Sequence, residues 1–433
     1  MNSYLVYMHQ EQVQAIYQNF IASGINTIRG IAFEFDDGDV FHIYTSEPKT
    51  QISGYPCASL IQFLDRLPTN EAGLAMAKQL RNTMQNNGVN SSRHILIILF
   101  SIEDGQLKHH VFASRAEGEF QEGVMKFLPG RSELYSRSKG ILETSILENC
   151  KVGIVGLGSG GSSIAVELAK AGIGNFVLID YDRLELANIA RHVCGTGDLG
   201  RYKTKAVKDA LYGKNPHIQV DSAELDINEN LEQTKILLKD CNLIIAATDN
   251  DRSRFNLNSI SLEYRIPTIF GRALTRAIGG DVLRVRPHQG PCLRCIFTKD
   301  FLATRKQEIS TSTQARKDTP AYVSDEEVNA TVQVGLSSDI VPISNMVVKL
   351  ALVELSKGRA SGIASLEEDL IANFYIWANR REQTYAEWPK MEYGSRTPSI
   401  LRWYGAKWER NATCPACNED HELLDEEDNI FAS

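Results

Sequence analysis

The rhythm of apolar and polar positions changes near residue 130. Before it, short apolar stretches come in pairs around turn dipeptides. Ile31-Ala-Phe-Glu-Phe35 and Val40-Phe-His-Ile-Tyr44 flank Asp37-Gly38, and His94-Ile-Leu-Ile-Ile-Leu-Phe100 runs through Asp104-Gly105 to His109-His-Val-Phe112. Strand-forming residues on both sides of Asp-Gly predict hairpins, because such turns need backbone conformations that Gly accepts. Between them, Asn70 to Gln85 has few breakers and predicts a helix. Residues 1–130 therefore read as a smaller α+β accessory domain. His94, His109 and His110 read as ordinary strand histidines rather than metal ligands, since adjacent strand residues face opposite sides.

From Cys150 onward the pattern is strand, helix, strand. Lys151-Val-Gly-Ile-Val155, Phe176-Val-Leu-Ile179, Leu243-Ile-Ile-Ala-Ala247 and Ile266-Pro-Thr-Ile-Phe270 are short apolar runs, and Ser162 to Ala171 has helical composition. This alternation predicts an α/β fold with a mostly parallel sheet and crossover helices. Residues 298–334 are polar and weakly patterned and read as a long crossover segment. Phe374-Tyr-Ile-Trp377 and Leu401-Arg-Trp-Tyr404 read as later strands in a stretch holding Trp377, Trp388, Trp403 and Trp408. Those aromatics suit either a docking face or a layer beneath a metal site.

Composition narrows the class. With 43% hydrophobic and 23% charged residues over 433 positions, the chain is an ordinary globular protein of two or three domains. Its longest purely apolar run, Ile95 to Phe100, is far shorter than a membrane span. Met1-Asn2-Ser3-Tyr4 lacks the basic start of a signal peptide, so the expected location is the cytoplasm. The net charge of −8 is concentrated in an acidic tail at 418–433, and the rest is close to neutral. A nucleic-acid binder would show a basic surface instead.

Gly156-Leu-Gly158-Ser-Gly160-Gly161 follows the first strand of the second region and opens a helix. This is the G-x-G-x-x-G context in which backbone N–H groups and a helix N-terminus meet phosphate. Asp180 ends the next strand, where an acid binds ribose hydroxyls. NAD, FAD and ATP all remain open on that motif alone. Asp180-Tyr-Asp182, Asn188-Ile-Ala-Arg191, Gly200-Arg-Tyr-Lys203 and Thr248-Asp249-Asn250 with Arg254 add cations and a further strand-end acid. Phosphoryl or nucleotidyl chemistry needs such groups for growing phosphate charge and a magnesium ion.

Cys292-Leu-Arg-Cys295 and Cys414-Pro-Ala-Cys417 are both C-x-x-C. Two such pairs readily make a closed, structural four-cysteine zinc site, with redox chemistry as the alternative.

These elements, in this order, resemble the ThiF/MoeB/HesA family of ubiquitin-activating-enzyme-like adenylating proteins over about residues 135–417. The resemblance implies a Rossmann-like adenylation domain at 131–433, with the zinc tying the C-terminal portion to it. It implies that Gly156, Gly158 and Gly161 cradle ATP and that Asp180 holds its ribose. Asn188, Arg191 and Lys203 would grip the phosphates, Asp249 would bind magnesium, and Asp182 and Arg254 would complete the nucleotide contacts. Arg137, in Leu134-Tyr-Ser-Arg137, would act across a homodimer. The substrate would be the C-terminal carboxylate of a ubiquitin-like protein ending in Gly, converted to an acyl adenylate.

Thioester-forming relatives carry a nucleophilic cysteine in the crossover, whereas no cysteine lies between Ile296 and Thr413 here. Three routes remain: direct handover to a conjugating-enzyme partner, an oxyester on Ser310, Thr311, Ser312 or Thr313, or substitution by Cys194 or Cys241. Gly335-Leu-Ser-Ser-Asp339-Ile340 resembles a bacterial subset found with ubiquitin-like conjugation genes. A sulfur-carrier adenylyltransferase and a catalytically silent nucleotide-binding scaffold are the competing functions.

Overall fold

The computed structural model describes residues 4–49, 52–88, 93–115, 118–298, 335–382, 385–391 and 396–418. Ser310, Thr311, Ser312 and Thr313, nearly all of the crossover and the acidic tail lie outside the described residues. The chain divides into two compact units, Met1–Arg137 and Ser138–Ser433.

In the first unit, β1 (Tyr4–His9), β2 (Thr27–Phe35), β3 (Val40–Tyr44), β4 (Tyr55–Phe63), β5 (His94–Glu103), β6 (Gln106–Arg115) and β7 (Gln121–Leu128) close into a barrel. Its order is β1-β3-β2-β4-β5-β6-β7. The β2–β3 and β5–β6 pairs are antiparallel, as the Asp-Gly turns predict, and β1 runs parallel to both β3 and β7. Two helices, α1 (Gln10–Ser23) and α2 (Asn70–Asn86), accompany the barrel, and a short α3 (Arg131–Leu134) ends the unit. The apolar run of β5 is explained by burial on both faces. Leu96, Ile98 and Phe100 join the barrel interior with Val6, Phe41 and Phe63, while Ile95, Ile97 and Leu99 pack with Ala77 and Met84 of α2. Among the described residues of this unit, the Glu34 carboxylate is buried. Glu34 Oε2 lies 2.8 Å from His94 Nδ1, and Glu34 Oε1 accepts from Arg93.

The second unit holds an eight-stranded sheet in the order β10-β9-β8-β11-β12-β13-β14-β15. Its parallel part is β8 (Lys151–Val155), β9 (Asn175–Ile179), β10 (Gln219–Ala223), β11 (Leu243–Ala246) and β12 (Thr268–Ala273). An antiparallel extension follows: β13 (Gly279–Val285), β14 (Phe374–Ala378) and β15 (Arg402–Ala406). The connecting helices are α4 (Thr144–Leu147), α5 (Ser159–Ala171), α6 (Leu186–Ile189), α7 (Lys203–Tyr212), α8 (Leu231–Leu238), α9 (Asp251–Tyr264), α10 (Leu293–Ile296), α11 (Ser337–Ser356) and α12 (Leu366–Asp369). Helices α5, α7 and α11 cover one face of the sheet, and α8, α9 and α10 the other. Covering both faces is what a parallel sheet requires, and it accounts for the uninterrupted apolar strands.

Two expectations shift. The strand expected from Ile266 begins at Thr268, because Pro267 has no N–H to give the ladder and serves only as acceptor, to Ile244 N at 3.0 Å. Trp377 and Trp403 do not underlie the cysteines. Trp377 and Trp403, with rings 5.4 Å apart, pack on the α11 face, whereas all four C-x-x-C cysteines belong to the opposite face.

Gly174 leads into β9, and a Cβ added there would lie 1.7 Å from the Glu148 carbonyl oxygen. Gly174→Ala should therefore destabilise the second unit by about 1–3 kcal/mol, the usual cost of overpacking. Thermal unfolding read by circular dichroism checks this, and an unchanged midpoint would contradict the close approach.

Candidate nucleotide site and cysteine cluster

Sheet order in the parallel part reverses at β8, with β9 on one side and β11 on the other, so a crevice opens beyond the carboxyl ends of β8 and β11. Ligands of open α/β sheets bind at such a point. The glycine loop occupies it. Gly156 has φ +89°, and a Cβ there would meet Ala247 O at 2.6 Å. At Gly161 a Cβ would sit 1.9 Å from Gly156 O, which brings α5 tight against the loop. Gly158 is the N-cap of α5, makes no side-chain cap and faces open space. An uncapped N-terminus of a 13-residue helix presents N–H groups and positive dipole to an anion.

Asp180 stands at the end of β9 and supports the loop. Its Oδ2 accepts the Leu157 N–H at 2.6 Å and its Oδ1 the Asp182 N–H at 2.8 Å. Burial pushes the Asp180 carboxyl up, while the Lys203 ammonium and both N–H donors pull it down. Lys203 reaches this position through a small ladder. Arg183 bridges Tyr202, and Leu184 N–H donates to Arg201 O at 2.9 Å, so the first turn of α7 lies against Asp180-Tyr-Asp182. Lys203 Nζ then donates to Asp182 Oδ2 at 2.6 Å. Lys205 instead faces β10, 3.4 Å from Glu224 Oε1.

Asn188 Oδ1 accepts the Glu185 N–H at 3.1 Å and caps α6, which fixes the backbone leading to Arg191. Arg191 is half-buried, and burial lowers the pKa of its guanidinium. Asp249 is exposed just past β11. Tyr181, 58% exposed, has its hydroxyl pushed up to about 12 by burial and by Asp182, Asp249, Asp226 and Asp180. The mouth of the crevice is thus rich in carboxylate oxygens, the donor chemistry that a hard divalent cation takes. Arg254 turns inward: it is buried, donating to Asp251 Oδ1 at 2.8 Å and Thr248 O at 2.5 Å. Its place is beneath the Thr248-Asp249 loop. Arg137 is exposed at the end of the first unit.

His192 is a site residue that the motifs do not reveal. It follows Arg191, and its Nε2 lies 2.8 Å from the Leu157 carbonyl oxygen of the glycine loop. Its only sequence signal is adjacency to Asn188-Ile-Ala-Arg191.

The two C-x-x-C pairs meet on the α10 face. Cys292 caps α10 and Cys295 lies within it, and the buried Asn258 of α9 accepts the Leu293 N–H at 2.9 Å, anchoring that turn. Asn411 Oδ1 accepts the Thr413 N–H at 2.9 Å and shapes the second turn. All four sulfurs are buried within 4.8 Å of one another. The pairs Cys292–Cys414, Cys292–Cys295 and Cys295–Cys417 are 3.7, 3.8 and 3.5 Å apart. A tetrahedron with ~2.3 Å metal–sulfur bonds has edges of about 3.8 Å, so the cluster fits zinc and is too wide for disulfides. Hydrogen bonds among the sulfurs push the Cys292 thiol up and the Cys414 thiol down, as when one thiolate accepts from its neighbours.

Cys194 and Cys241 do not fit a nucleophile's role. Both are buried, and burial pushes each thiol up to about 12. Cys241 also precedes β11, at the end of the sheet away from the crevice.

The sequence profile of the ThiF family matches residues 137–390. Adenylyltransferase and sulfurtransferase MOCS3 of Anopheles gambiae is 32% identical over 152 residues, 35% of this chain and 34% of that protein. Molybdopterin-synthase adenylyltransferase of Escherichia coli (strain K12) is 31% identical over 153 residues, 35% of this chain and 59% of that one. Ubiquitin-like modifier-activating enzyme 5 of Dictyostelium discoideum is 29% identical over 181 residues, 38% of this chain and 48% of that one. The matched stretch is thus less than two thirds of each relative. Among solved structures, E. coli MccB with ATP gives a TM-score of 0.45 at 17% identity, covering 63% of this chain and 68% of that one.

Proposed function

The chain belongs to the ThiF family, and from that premise we propose that it is an adenylyltransferase activating the C-terminal carboxylate of a ubiquitin-like protein with ATP. The observation that carries this reading is the glycine loop held by Asp180 at the end of β9, with Lys203 drawn in beside it onto Asp182; the proposal assigns Arg191, and Asp249 just past β11, to the same site. The names of the relatives, two adenylyltransferases and a modifier-activating enzyme, agree with it.

In this reading a carboxylate oxygen of the substrate attacks the α-phosphorus of ATP. The bond from that phosphorus to the α–β bridging oxygen breaks, pyrophosphate leaves with the electron pair, and an acyl adenylate remains. No proton needs to move, so catalysis is positioning and charge stabilisation. The α5 N-terminus holds phosphate oxygens, and Lys203 and Arg191 supply positive charge as negative charge shifts to the leaving group. Asp180 accepts from the ribose through lone pairs that the loop leaves unused. Asp249 would hold magnesium, which shields the phosphates when bound. Cys292, Cys295, Cys414 and Cys417 would hold zinc in a closed four-thiolate site, whose contribution is structural. Arg137 reaches the site of a second protomer in a homodimer, and the acyl group passes to a conjugating-enzyme partner directly or through an oxyester at 310–313.

The sulfur-carrier reading shares the same chemistry and differs only in the ubiquitin-like protein. It is favoured by the molybdopterin-synthase and sulfurtransferase names. No helix among the described residues is long and apolar enough to cross a membrane.

ATP–pyrophosphate exchange tests the proposal. Exchange should require magnesium and a ubiquitin-like protein with an intact C-terminal Gly, and the protein that drives it identifies the substrate. Nucleotide binding without exchange, across the ubiquitin-like proteins encoded beside this gene and a sulfur carrier, would leave the scaffold reading in its place.

A further inference from the structure

The middle residue of the glycine loop is held at both of its polar groups. Leu157 donates its N–H to Asp180 Oδ2 at 2.6 Å, and its carbonyl oxygen lies 2.8 Å from His192 Nε2. The other nitrogen of His192 identifies the tautomer. Cys194 N–H donates to Nδ1 at 3.1 Å, so Nδ1 is an acceptor and Nε2 carries the proton that Leu157 O receives. The ring is half-buried. Burial lowers its pKa and the Lys203 ammonium adds to this, against the Leu157 carbonyl and Asp198. A protonated ring would have two donors and would leave Cys194 N–H without its acceptor.

In a trans peptide the C=O and N–H point in opposite directions. Pinning Leu157 O onto His192 therefore aims the Gly158 N–H the other way. Gly158 is the uncapped N-cap of α5 and faces open space. A rotated 157–158 peptide would instead turn a carbonyl oxygen, with its partial negative charge, toward the phosphates.

We propose that His192 is a positioning residue for the nucleotide: it clamps the Leu157 carbonyl opposite Asp180 and so presents the Gly158 N–H to a phosphate oxygen of ATP. It touches neither substrate nor reacting atom. The inference rests on the adenylating reading only for its kinetic readout, because nucleotide binding can be measured separately.

The test uses the full chain with His192→Phe, which keeps a ring and loses both nitrogens' chemistry, and His192→Gln, which keeps a donor and an acceptor on one side chain. His192→Phe should raise the Kd for ATP and the KM in exchange about tenfold, the upper range for one lost hydrogen bond, with kcat changing much less. His192→Gln should stay within about threefold of the parent, because it restores the bond. Amide hydrogen exchange at Gly158 should be faster in His192→Phe than in His192→Gln at equal melting temperature. A Kd for ATP unchanged in a folded His192→Phe chain overturns the proposal, and so does a His192→Gln chain as impaired as His192→Phe. Should His192→Phe fail to fold, His192→Ala with added imidazole takes its place. Recovery of ATP affinity with imidazole supports the clamp, and no recovery counts against it. ATP binding that depends on residue 192 in a chain without exchange would preserve this inference and remove the adenylating reading.

Discussion

Asp249→Asn should lower ATP–pyrophosphate exchange by about 10²–10³-fold, the loss typical of removing one preorganised group that stabilises developing charge. The substitution is nearly isosteric, and Asp249 lies exposed beyond a four-residue strand, so the sheet does not depend on it. Among the described residues its side chain accepts one hydrogen bond, a long one from Asn250 Nδ2 to Oδ1 at 3.4 Å. What changes is the formal charge available to a cation at the crevice mouth. The defect should therefore appear as a raised magnesium requirement with an unchanged melting temperature. A variant within tenfold of the parent across magnesium concentrations would remove Asp249 from the chemistry. Lys203 offers no such clean comparison, since it is itself buried against Asp182 and its loss strands that carboxylate.

A second large effect is expected at the cysteines. Cys292 and Cys414 lie 122 residues apart in sequence, and so do Cys295 and Cys417, so one ion would close a very long loop. Structural zinc contributes about 10–16 kcal/mol of apparent binding energy in small domains, comparable to the whole stability of a typical protein. Cys414→Ser or exhaustive chelation should therefore release one zinc per chain. The melting temperature should then fall by about 10–20 °C, as expected if ~5 kcal/mol is lost and each kcal/mol shifts the midpoint by about 2–4 °C. Elemental analysis and calorimetry read both quantities. Metal-free protein melting at the same temperature would overturn the structural role.

The crevice was more legible in sequence than the scaffold around it. Glycines that sit 1.9 Å from a backbone oxygen once given a Cβ have a local, countable signature, and so do strand-end acids and C-x-x-C turns. The strands that escaped notice have long-range causes. β13 is buried along its whole length yet contains Asp281 and Arg284, which break any apolar period. They are tolerated because Arg272 on the neighbouring strand grips Asp281 at 2.5 Å and Glu367, distant in sequence, takes Arg284 at 3.0 Å, pairings that only strand register and helix packing create. β10 has a single buried apolar residue, Val220, as befits the edge of the sheet. Helix α9 buries Ser253, Asn258 and Ser261, which hides its inner face from a hydrophobic pattern. In the site itself, Lys203 meets Asp182 through the ladder of Arg183 with Tyr202 and Leu184 with Arg201, which the sequence does not show. His192 is recognisable only once the Leu157 carbonyl is seen beside it.

The parallel pairing of β1 has a consequence for how the chain is made. This first strand is flanked by β3 on one side and β7 on the other, with Tyr4 opposite Gly123 and His9 opposite Leu128. During synthesis, Tyr4–His9 emerges before the other barrel strands, and one of its two neighbours emerges after them all. Closure of the barrel must wait until Leu128 has left the ribosome. Until then the strand shows one unpaired edge, which is where chaperones and mispairing compete. High sequence separation of the closing contacts also makes the final step slow. The first unit is thus finished in a single late event, as the second begins to be translated.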